Sequence, residues 1–173
     1  MIHLILGGAR SGKSRLAEQT ALAYEMPVTY IATAQAWDEE MAERIEHHQA
    51  QRPAEWALAE ESLYLADRLK QLDQAGRVIL VDCLTLWMSN LLMQDNAQMQ
   101  IDECAKLLNV LPELKSEIIL VSNETGLGVV PMGQISRRFV DESGRLHQQL
   151  GQIADRAVFC VAGFPMILKG EKA

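Results

Sequence analysis

One short motif constrains what this chain can fold into more than any other part of it. It reads Gly7-Gly8-Ala9-Arg10-Ser11-Gly12-Lys13-Ser14 and follows the apolar run at residues 3–6. The motif fits G-x-x-x-x-G-K-[ST], in which glycines let backbone N–H groups approach phosphate oxygens and the next helix directs its positive N-terminus at the same anion. In such a loop Lys13 reaches the β- and γ-phosphates and Ser14 ligates Mg²⁺. We therefore predict a nucleotide-binding phosphate loop here rather than an ordinary glycine-rich turn.

The rest of the chain alternates apolar runs rich in Val and Ile with segments of helical period, a pattern typical of β-α units that build a mostly parallel sheet. At 173 residues the chain fits one α/β domain, spanning residues 1–173. We predict strands near residues 2–6, 28–33, 77–82, 117–122, 157–162 and 166–169. Helices are predicted from Lys13 to about Tyr24, from near Asp38, and over about 60–75, 84–93, 97–111 and 132–154.

Composition excludes several classes of function. The net charge is -7, and the one basic cluster is the pair Arg137-Arg138, so the chain lacks the basic surface that binding nucleic acid requires. No apolar run approaches the length of a membrane span, and the start of the chain does not resemble a secretory leader, so we expect a cytoplasmic protein. Three widely spaced cysteines argue against a disulfide framework or a zinc site.

Asp82 is a candidate metal-binding residue. It follows the four apolar residues 78–81, which is how a Walker B strand brings a carboxylate to the Mg²⁺ coordination sphere. The alternative is that Asp82 caps the helix predicted from Leu84, because aspartate is a good N-cap residue. Given the phosphate loop, the metal role is favoured, and both roles are compatible.

The adjacent His47 and His48 lie in a charged segment that is predicted to be helical. At about 100° per residue, His48 falls near the apolar Met41 and Ile45, whereas His47 falls on the opposite side, beside Glu43. A carboxylate four residues earlier can hold the tautomer of His47, and neutral imidazole is a competent nucleophile towards phosphorus. The plain alternative, a histidine on a solvated helix face, is favoured when the segment is considered alone.

Three further features are ambiguous from residues alone. Glu60 and Glu61 suit the first turn of a helix, where acidic side chains offset the macrodipole. Arg52 either contacts a phosphate or stays in solvent. The polar and glycine-containing run at residues 122–131 either frames a site or merely connects two elements.

Taken together, these residues resemble the bifunctional adenosylcobinamide kinase/adenosylcobinamide-phosphate guanylyltransferases of cobalamin assembly. The likeness runs almost from end to end, and a set of motifs in this order is far more specific than a phosphate loop. The motifs are residues 7–14, 30–35, 38–41 and 44–48, Arg52-Pro53 with Trp56 and Glu60, residues 81–87 with 90–92, and residues 121–124 with Gly126, Gly128, Val130 and Pro131.

The resemblance implies a P-loop enzyme with a RecA-like fold, helices on both faces of its sheet, and two reactions. The first phosphorylates the aminopropanol hydroxyl of adenosylcobinamide with ATP or GTP, and the second transfers GMP from GTP to that phosphate, giving adenosylcobinamide-GDP and pyrophosphate. It also implies that His47 carries the guanylyl group, that Lys13 is catalytic, and that Ser14 and Asp82 hold Mg²⁺. The implied nucleotide contacts are Gly7, Gly8, Ala9, Arg10, Ser11, Gly12, Lys13, Ser14, Ala32, Thr33, Ala34, His48, Gln49, Ala50, Gln51, Glu60 and Asp82.

The family further implies a homo-oligomer, with a trimer as its known assembly, and makes Trp87, Leu91 and Leu92 candidate interface residues. Two departures from the family pattern stand out: His147 replaces an Asn in Gly144-Arg145-Leu146-His147-Gln148, and Leu58-Ala59 replaces a Thr before Glu60. The competing hypotheses are a P-loop kinase of another small alcohol and a nucleotide-dependent switch or assembly ATPase. Neither of these would place a covalent nucleotide on His47.

Overall fold

The protein, described by a computed structural model over residues 1–35 and 53–171, is built on a seven-stranded sheet. The strand order is β3-β2-β4-β5-β1-β6-β7, and every pair is parallel except β6 and β7, which are antiparallel. The strands are β1 Ile2–Gly7, β2 Val28–Ala32, β3 Ala57–Glu60, β4 Val78–Asp82, β5 Glu117–Asn123, β6 Arg156–Val161 and β7 Phe164–Lys169.

Helices cover both faces of the sheet, as predicted. Along β1, Leu4 and Leu6 pack into one hydrophobic cluster while Ile5, pointing the opposite way, packs into another with Ala17 and Ala21. One face is therefore covered by α1 and the other by α2 to α5. The described helices are α1 Lys13–Leu22, α2 Leu65–Leu72, α3 Leu84–Leu92, α4 Ala97–Val110 and α5 Gln134–Ile153, and a 3₁₀ turn spans Leu111–Glu113.

Most predicted elements are confirmed, with boundary shifts of one to a few residues. One strand was missed: β3, an edge strand in which only Ala59 is buried while Leu58 remains 47% exposed. The predicted helix over 60–75 is shorter than expected because Glu60 belongs to this strand and α2 begins only at Leu65. The helix predicted from near Asp38 lies outside the described residues.

The candidate interface residues are mostly core residues. Trp87 and Leu91 are both fully buried on α3, and the indole Nε1–H of Trp87 donates to the Leu63 carbonyl oxygen at 2.8 Å. Leu92 is half-buried and packs against the same cluster. The prediction that Trp87 and Leu91 face a neighbouring subunit is therefore wrong, because an apolar helix packed against a sheet buries these side chains within its own chain.

No helix within residues 1–35 or 53–171 has both the length and the hydropathy needed to cross a membrane.

The burial of α3 makes a prediction about stability. Leu91→Ala is expected to lower the free energy of unfolding by about 2–5 kcal/mol, since it removes buried methyl groups and leaves a cavity. Met93→Ala is the matched control, because Met93 lies two residues further along the chain and its side chain is 62% exposed. This substitution is expected to change the free energy of unfolding by less than about 0.5 kcal/mol. Urea unfolding at fixed protein concentration measures both, and similar losses for the two variants would contradict this placement of Leu91.

Candidate functional site

The carboxyl ends of the parallel strands meet at one edge of the sheet. Ala32, the last residue of β2, pairs with Glu60 of β3 on one side and Asp82 of β4 on the other. Gly7, the last residue of β1, pairs with Asn123 of β5 and Cys160 of β6. Ligands of open α/β sheets bind beyond this edge, so the structure brings the predicted site residues of four strands together where a ligand is expected.

The phosphate loop starts at this edge and is held by its own backbone. The Gly8 carbonyl oxygen accepts hydrogen bonds from the Ser11 N–H at 3.3 Å and from Lys13 Nζ at 3.2 Å. Gly12 is the N-cap of α1, has a φ of 95°, and supplies no side-chain cap. The first turn of α1 also contains no acidic residue, so its N–H groups and positive dipole end suit a bound phosphate.

Steric crowding explains two of the loop glycines. A Cβ at Gly7 would lie 2.4 Å from Ser11 Oγ and 2.8 Å from the Cys160 carbonyl oxygen. A Cβ at Gly12 would lie 3.1 Å from the Cα of Gly163, in the turn between β6 and β7, and the positive φ of Gly12 adds strain. The Gly163 N–H donates to the Ser11 carbonyl oxygen at 2.9 Å, so the turn between β6 and β7 packs against the phosphate loop and stabilises it.

The donor set at the start of α1 and the end of β4 fits a magnesium ion. Ser14 offers a hydroxyl oxygen and Asp82 a carboxylate, and both are the hard oxygen ligands that Mg²⁺ prefers. Mg²⁺ is commonly bound by one or two such protein groups together with the phosphates of a substrate. The alternative role predicted for Asp82 is not observed, since the N-cap of α3 is Cys83 and no side chain caps that helix. Among the described residues no group of three His, Cys, Asp or Glu side chains is placed to hold a metal without such a substrate.

A buried network fixes residues 32–34, which follow β2. Thr33 is fully buried, and its hydroxyl donates to the Cys83 carbonyl oxygen at 2.7 Å and accepts from the Cys83 N–H at 2.9 Å. Asn90 on α3 donates from Nδ2 to the Thr33 carbonyl oxygen at 2.8 Å and to the Ser62 carbonyl oxygen at 3.2 Å. No role was predicted for Asn90, although an amide in an otherwise apolar helix is the signal that points to it.

Glu60 occupies the edge rather than a helix. It ends β3 beside Ala32, so the interpretation of Glu60-Glu61 as a first helical turn is wrong for Glu60. Glu61 does serve a turn: its carboxylate accepts the N–H groups of Leu63 and Tyr64, both at 2.8 Å, just before α2. The Glu61 N–H also donates to the Ala32 carbonyl oxygen at 3.0 Å, which ties this segment to the edge.

The end of β5 carries a second polar network. Thr85 Oγ1 accepts the Asn123 N–H at 2.7 Å and lies 3.3 Å from Ser122 Oγ. Ser122 Oγ is in turn 2.8 Å from Nε2 of the buried His147 on α5. The Glu124 N–H donates to the Gly7 carbonyl oxygen at 3.0 Å, so the segment after β5 contacts the phosphate loop directly.

The cysteines at this edge are unreactive thiols. Burial raises the pKa of Cys83 to about 11, and the neighbouring Asp82 carboxylate acts in the same direction. Burial also raises the pKa of Cys160, although Lys13 opposes that effect. Because the thiolate is the nucleophilic form, neither residue is suited to attack a substrate at neutral pH.

The remaining predicted nucleotide contacts, His48, Gln49, Ala50 and Gln51, lie outside the described residues, as do the predicted nucleophile His47 and the ambiguous Arg52.

A phosphate loop after the first strand of a mostly parallel sheet, with an aspartate at the end of β4, defines a P-loop nucleotide-binding protein. Two solved structures share this fold. The Pyrococcus horikoshii OT3 protein of structural project PH0250 gives a TM-score of 0.59 at 11% identity, over 99% of this chain and 87% of that one. The RadB recombinase gives a TM-score of 0.54 at 19% identity, and the match covers 91% of this chain and 73% of the recombinase chain. These likenesses confirm the predicted RecA-like fold.

Sequence comparison identifies the family. Residues 3–168 match the family described as cobinamide kinase / cobinamide phosphate guanyltransferase. The chain is 58% identical over 171 residues to the bifunctional adenosylcobalamin biosynthesis protein CobP of Pseudomonas aeruginosa, covering 99% of both chains. It is 40% identical over 184 residues to the bifunctional adenosylcobalamin biosynthesis protein CobU of Salmonella typhimurium, covering 98% of this chain and 100% of the relative. The chain therefore belongs to this family of kinase and guanylyltransferase enzymes, and the resemblance seen in its motifs is confirmed.

The crowding around Gly7 makes a second prediction. Gly7→Ala is expected to lower the free energy of unfolding of the nucleotide-free protein by about 1–3 kcal/mol, because the methyl group forces Ser11 and the backbone of Cys160 apart. Gly8→Ala is the matched control: a Cβ there meets no atom within 4 Å, so a change below about 1 kcal/mol is expected. Denaturant unfolding without nucleotide separates the two, and equal midpoints would show that the loop relaxes around the added methyl group.

Proposed function

We propose that this chain catalyses both reactions of its family at the edge described above. It phosphorylates the aminopropanol hydroxyl of adenosylcobinamide with ATP or GTP, and then transfers GMP from GTP to the new phosphate. The products of the second reaction are adenosylcobinamide-GDP and pyrophosphate. The observation that carries the proposal is the family match over residues 3–168, combined with a phosphate loop held by its own backbone at the carboxyl edge of the sheet.

In the kinase reaction the loop binds and orients the triphosphate. The N–H groups at the start of α1 and the ammonium of Lys13 donate hydrogen bonds to the phosphate oxygens, where negative charge develops as the γ-phosphoryl group is transferred. Without a nucleotide, the Lys13 ammonium donates to the Gly8 carbonyl oxygen of the same loop, and in the proposed reaction it exchanges that acceptor for a phosphate oxygen. The substrate hydroxyl has only to be held in line, so positioning supplies most of the rate enhancement.

Mg²⁺ is the cofactor we propose for both reactions, bound through Ser14 and Asp82. Ser14 and Asp82 would hold the ion, which would supply positive charge to neutralise the phosphate oxygens. Ser14 lies on the first turn of α1 and Asp82 at the carboxyl end of β4, so two different elements would supply the ligands.

In the guanylyl reaction we propose His47 as the nucleophile. One imidazole nitrogen of His47 attacks the α-phosphorus of GTP, a P–N bond forms, and the bond to the pyrophosphate oxygen breaks. The leaving pyrophosphate stays in the hydrogen bonds of the phosphate loop. An oxygen of the corrinoid phosphate then attacks the same phosphorus and breaks the P–N bond, which frees His47. Ala32 to Ala34, His48 to Gln51, Glu60 and Asp82 complete the proposed nucleotide contacts.

We further propose that the chain works as a homo-oligomer, a trimer, and in the cytoplasm. Its partners are then small molecules, GTP, ATP and adenosylcobinamide or its phosphate, without nucleic acid. The acidic net charge of -7 supports the last point, since binding nucleic acid requires a basic surface.

A covalent-labelling experiment tests the guanylyl reaction. Protein incubated with Mg²⁺ and GTP labelled at the α-phosphorus is expected to gain acid-labile, alkali-stable label, because a phosphoramidate bond to imidazole hydrolyses in acid. His47→Ala is expected to abolish the label, whereas His3→Leu, at the opposite end of β1 from the phosphate loop, keeps it. Label that persists in His47→Ala would assign the nucleophile to another residue.

The same preparation distinguishes the alternative functions. If no label forms under turnover conditions but adenosylcobinamide stimulates nucleotide consumption, the chain is a kinase alone. If neither occurs, a kinase of another small alcohol or a nucleotide-dependent switch becomes the better hypothesis.

The proposed magnesium role of Asp82 makes a separate prediction. Asp82→Asn removes the ligand charge and is expected to raise the Mg²⁺ concentration for half-maximal kinase activity by roughly 10–100-fold, the range typical of weakened metal sites. Asp102→Asn, on the exposed side of α4, is the control and is expected to leave it unchanged. Activity titrated with Mg²⁺ at saturating nucleotide measures this, and an unchanged requirement in Asp82→Asn would remove Asp82 from the metal site.

A further inference from the structure

A buried histidine links α5 to the end of β5. His147 is 8% exposed, its Nε2 lies 2.8 Å from Ser122 Oγ, and its Nδ1 lies 3.5 Å from the carboxylate oxygen Oε2 of Glu124. Within residues 1–35 and 53–171, Nδ1 has no hydrogen-bond partner at normal distance, which leaves the Glu124 carboxylate as the group it faces. Because a buried imidazole nitrogen is costly to leave unpaired, the position of Nδ1 beside the Glu124 carboxylate needs an explanation.

The surrounding groups set the direction of each hydrogen bond. The negative Glu124 carboxylate favours the tautomer of His147 that carries its proton on Nδ1. Nε2 is then an acceptor, so the Ser122 hydroxyl donates to it and Ser122 Oγ accepts from the Thr85 hydroxyl. Thr85 Oγ1 is free to accept the Asn123 N–H, as observed at 2.7 Å. The imidazole is neutral in this arrangement, and burial lowers the pKa of His147 although Glu124 opposes the effect.

This network ends on the phosphate loop. Glu124 accepts the Gly126 N–H through its other carboxylate oxygen at 2.6 Å, so its side chain is held on both sides. Its backbone N–H donates to the Gly7 carbonyl oxygen at 3.0 Å, just where the chain leaves β1 and enters the loop. A displacement of Glu124 would therefore move the first residue of the loop.

We propose that His147 is a positioning residue for the phosphate loop: its imidazole joins Ser122 to Glu124, and the joined segment holds Gly7 in place through the Glu124 backbone. His147 touches no nucleotide in this scheme. The inference rests on the proposed function only in that the loop binds a nucleotide, so it can be tested by binding as well as by turnover.

Three substitutions at position 147 separate the two contacts. His147→Asn keeps an amide near the Nδ1 position, towards Glu124, and His147→Gln keeps one near the Nε2 position, towards Ser122. His147→Leu fills much of the space without either contact. His3→Leu is the control, because His3 is also buried and hydrogen-bonded, to Tyr24 at 2.7 Å, but at the opposite end of β1.

Two measurements are made. The first is the Kd for fluorescent mant-GDP in the presence of Mg²⁺, and the second is kcat and KM for the kinase reaction. Because small misplacements of catalytic groups are costly, we expect His147→Leu to raise Kd by about tenfold and to lower kcat by a larger factor. Because the link needs both contacts, His147→Asn and His147→Gln are each expected to fall between wild type and the Leu variant, with the Asn variant closer to wild type because it keeps the contact with Glu124. His3→Leu lowers thermal stability but leaves Kd and kcat of the folded protein unchanged.

Other orders of effect would overturn the proposal. If His147→Leu keeps wild-type values while the smaller Asn variant does not, the imidazole only fills space, and wild-type values in all three variants would show that it has no role. If His147→Gln resembles wild type while His147→Asn resembles the Leu variant, the contact with Ser122 matters and the link through Glu124 does not. Should His147→Leu fail to fold, the Asn and Gln pair decides the question. If wild-type protein binds mant-GDP but does not phosphorylate the corrinoid, the proposed function fails while the binding comparison still tests His147.

Discussion

The parallel pairing of β1 with β5 and β6 is the interaction on which the rest of the site depends. It places Gly7 opposite Asn123 and Cys160 and so fixes where the phosphate loop leaves the sheet. Beyond the last pair, the Glu124 N–H continues the ladder to the Gly7 carbonyl oxygen. The close approach of Cys160 leaves no room for a Cβ on the loop's first glycine. The loop is therefore anchored by backbone hydrogen bonds and steric contact before any ligand arrives, which is the preorganisation that phosphoryl transfer requires.

The same pairing explains why most of the fold is readable from sequence. Central strands of a sheet covered on both faces must be apolar on successive residues, and residues 78–81 and 118–121 are, so β4 and β5 are easily found. The edge strand β3 carries no such signal. Only Ala59 of its four residues is buried, and its main contribution is backbone pairing with β2, which any sequence can supply. Its assignment changes the meaning of Glu60 from a helix start to a strand end at the site.

The residues of the site also fall into two groups, those that the sequence predicts and those that it does not. Residues 7–14 act through local geometry, so a short motif predicts them before the fold is known. The residues that support the site act across long separations: Asn90 reaches the Thr33 carbonyl oxygen over 57 positions, and His147 reaches Ser122 over 25. No local pattern records which distant backbone group an amide or imidazole will meet once helices pack on a sheet. A polar residue inside an apolar helix face signals only that a buried partner must exist, because an unpaired polar group would be too costly.

The contacts that support the phosphate loop also explain how one loop can serve two reactions, one at the γ-phosphorus and one at the α-phosphorus. The contacts that hold the loop are made by Gly7, Ser11, Gly163 and Glu124, and none of them selects between the γ- and the α-phosphorus. A cradle of N–H groups stabilises negative charge on a transferred phosphoryl group and on a leaving pyrophosphate alike, because both are phosphate oxygens at the same positive helix end. In the proposed mechanism the choice between the two reactions therefore cannot come from the loop. It comes from which nucleophile stands in line, the corrinoid hydroxyl or His47, and so from the segment that carries His47 and from the second substrate.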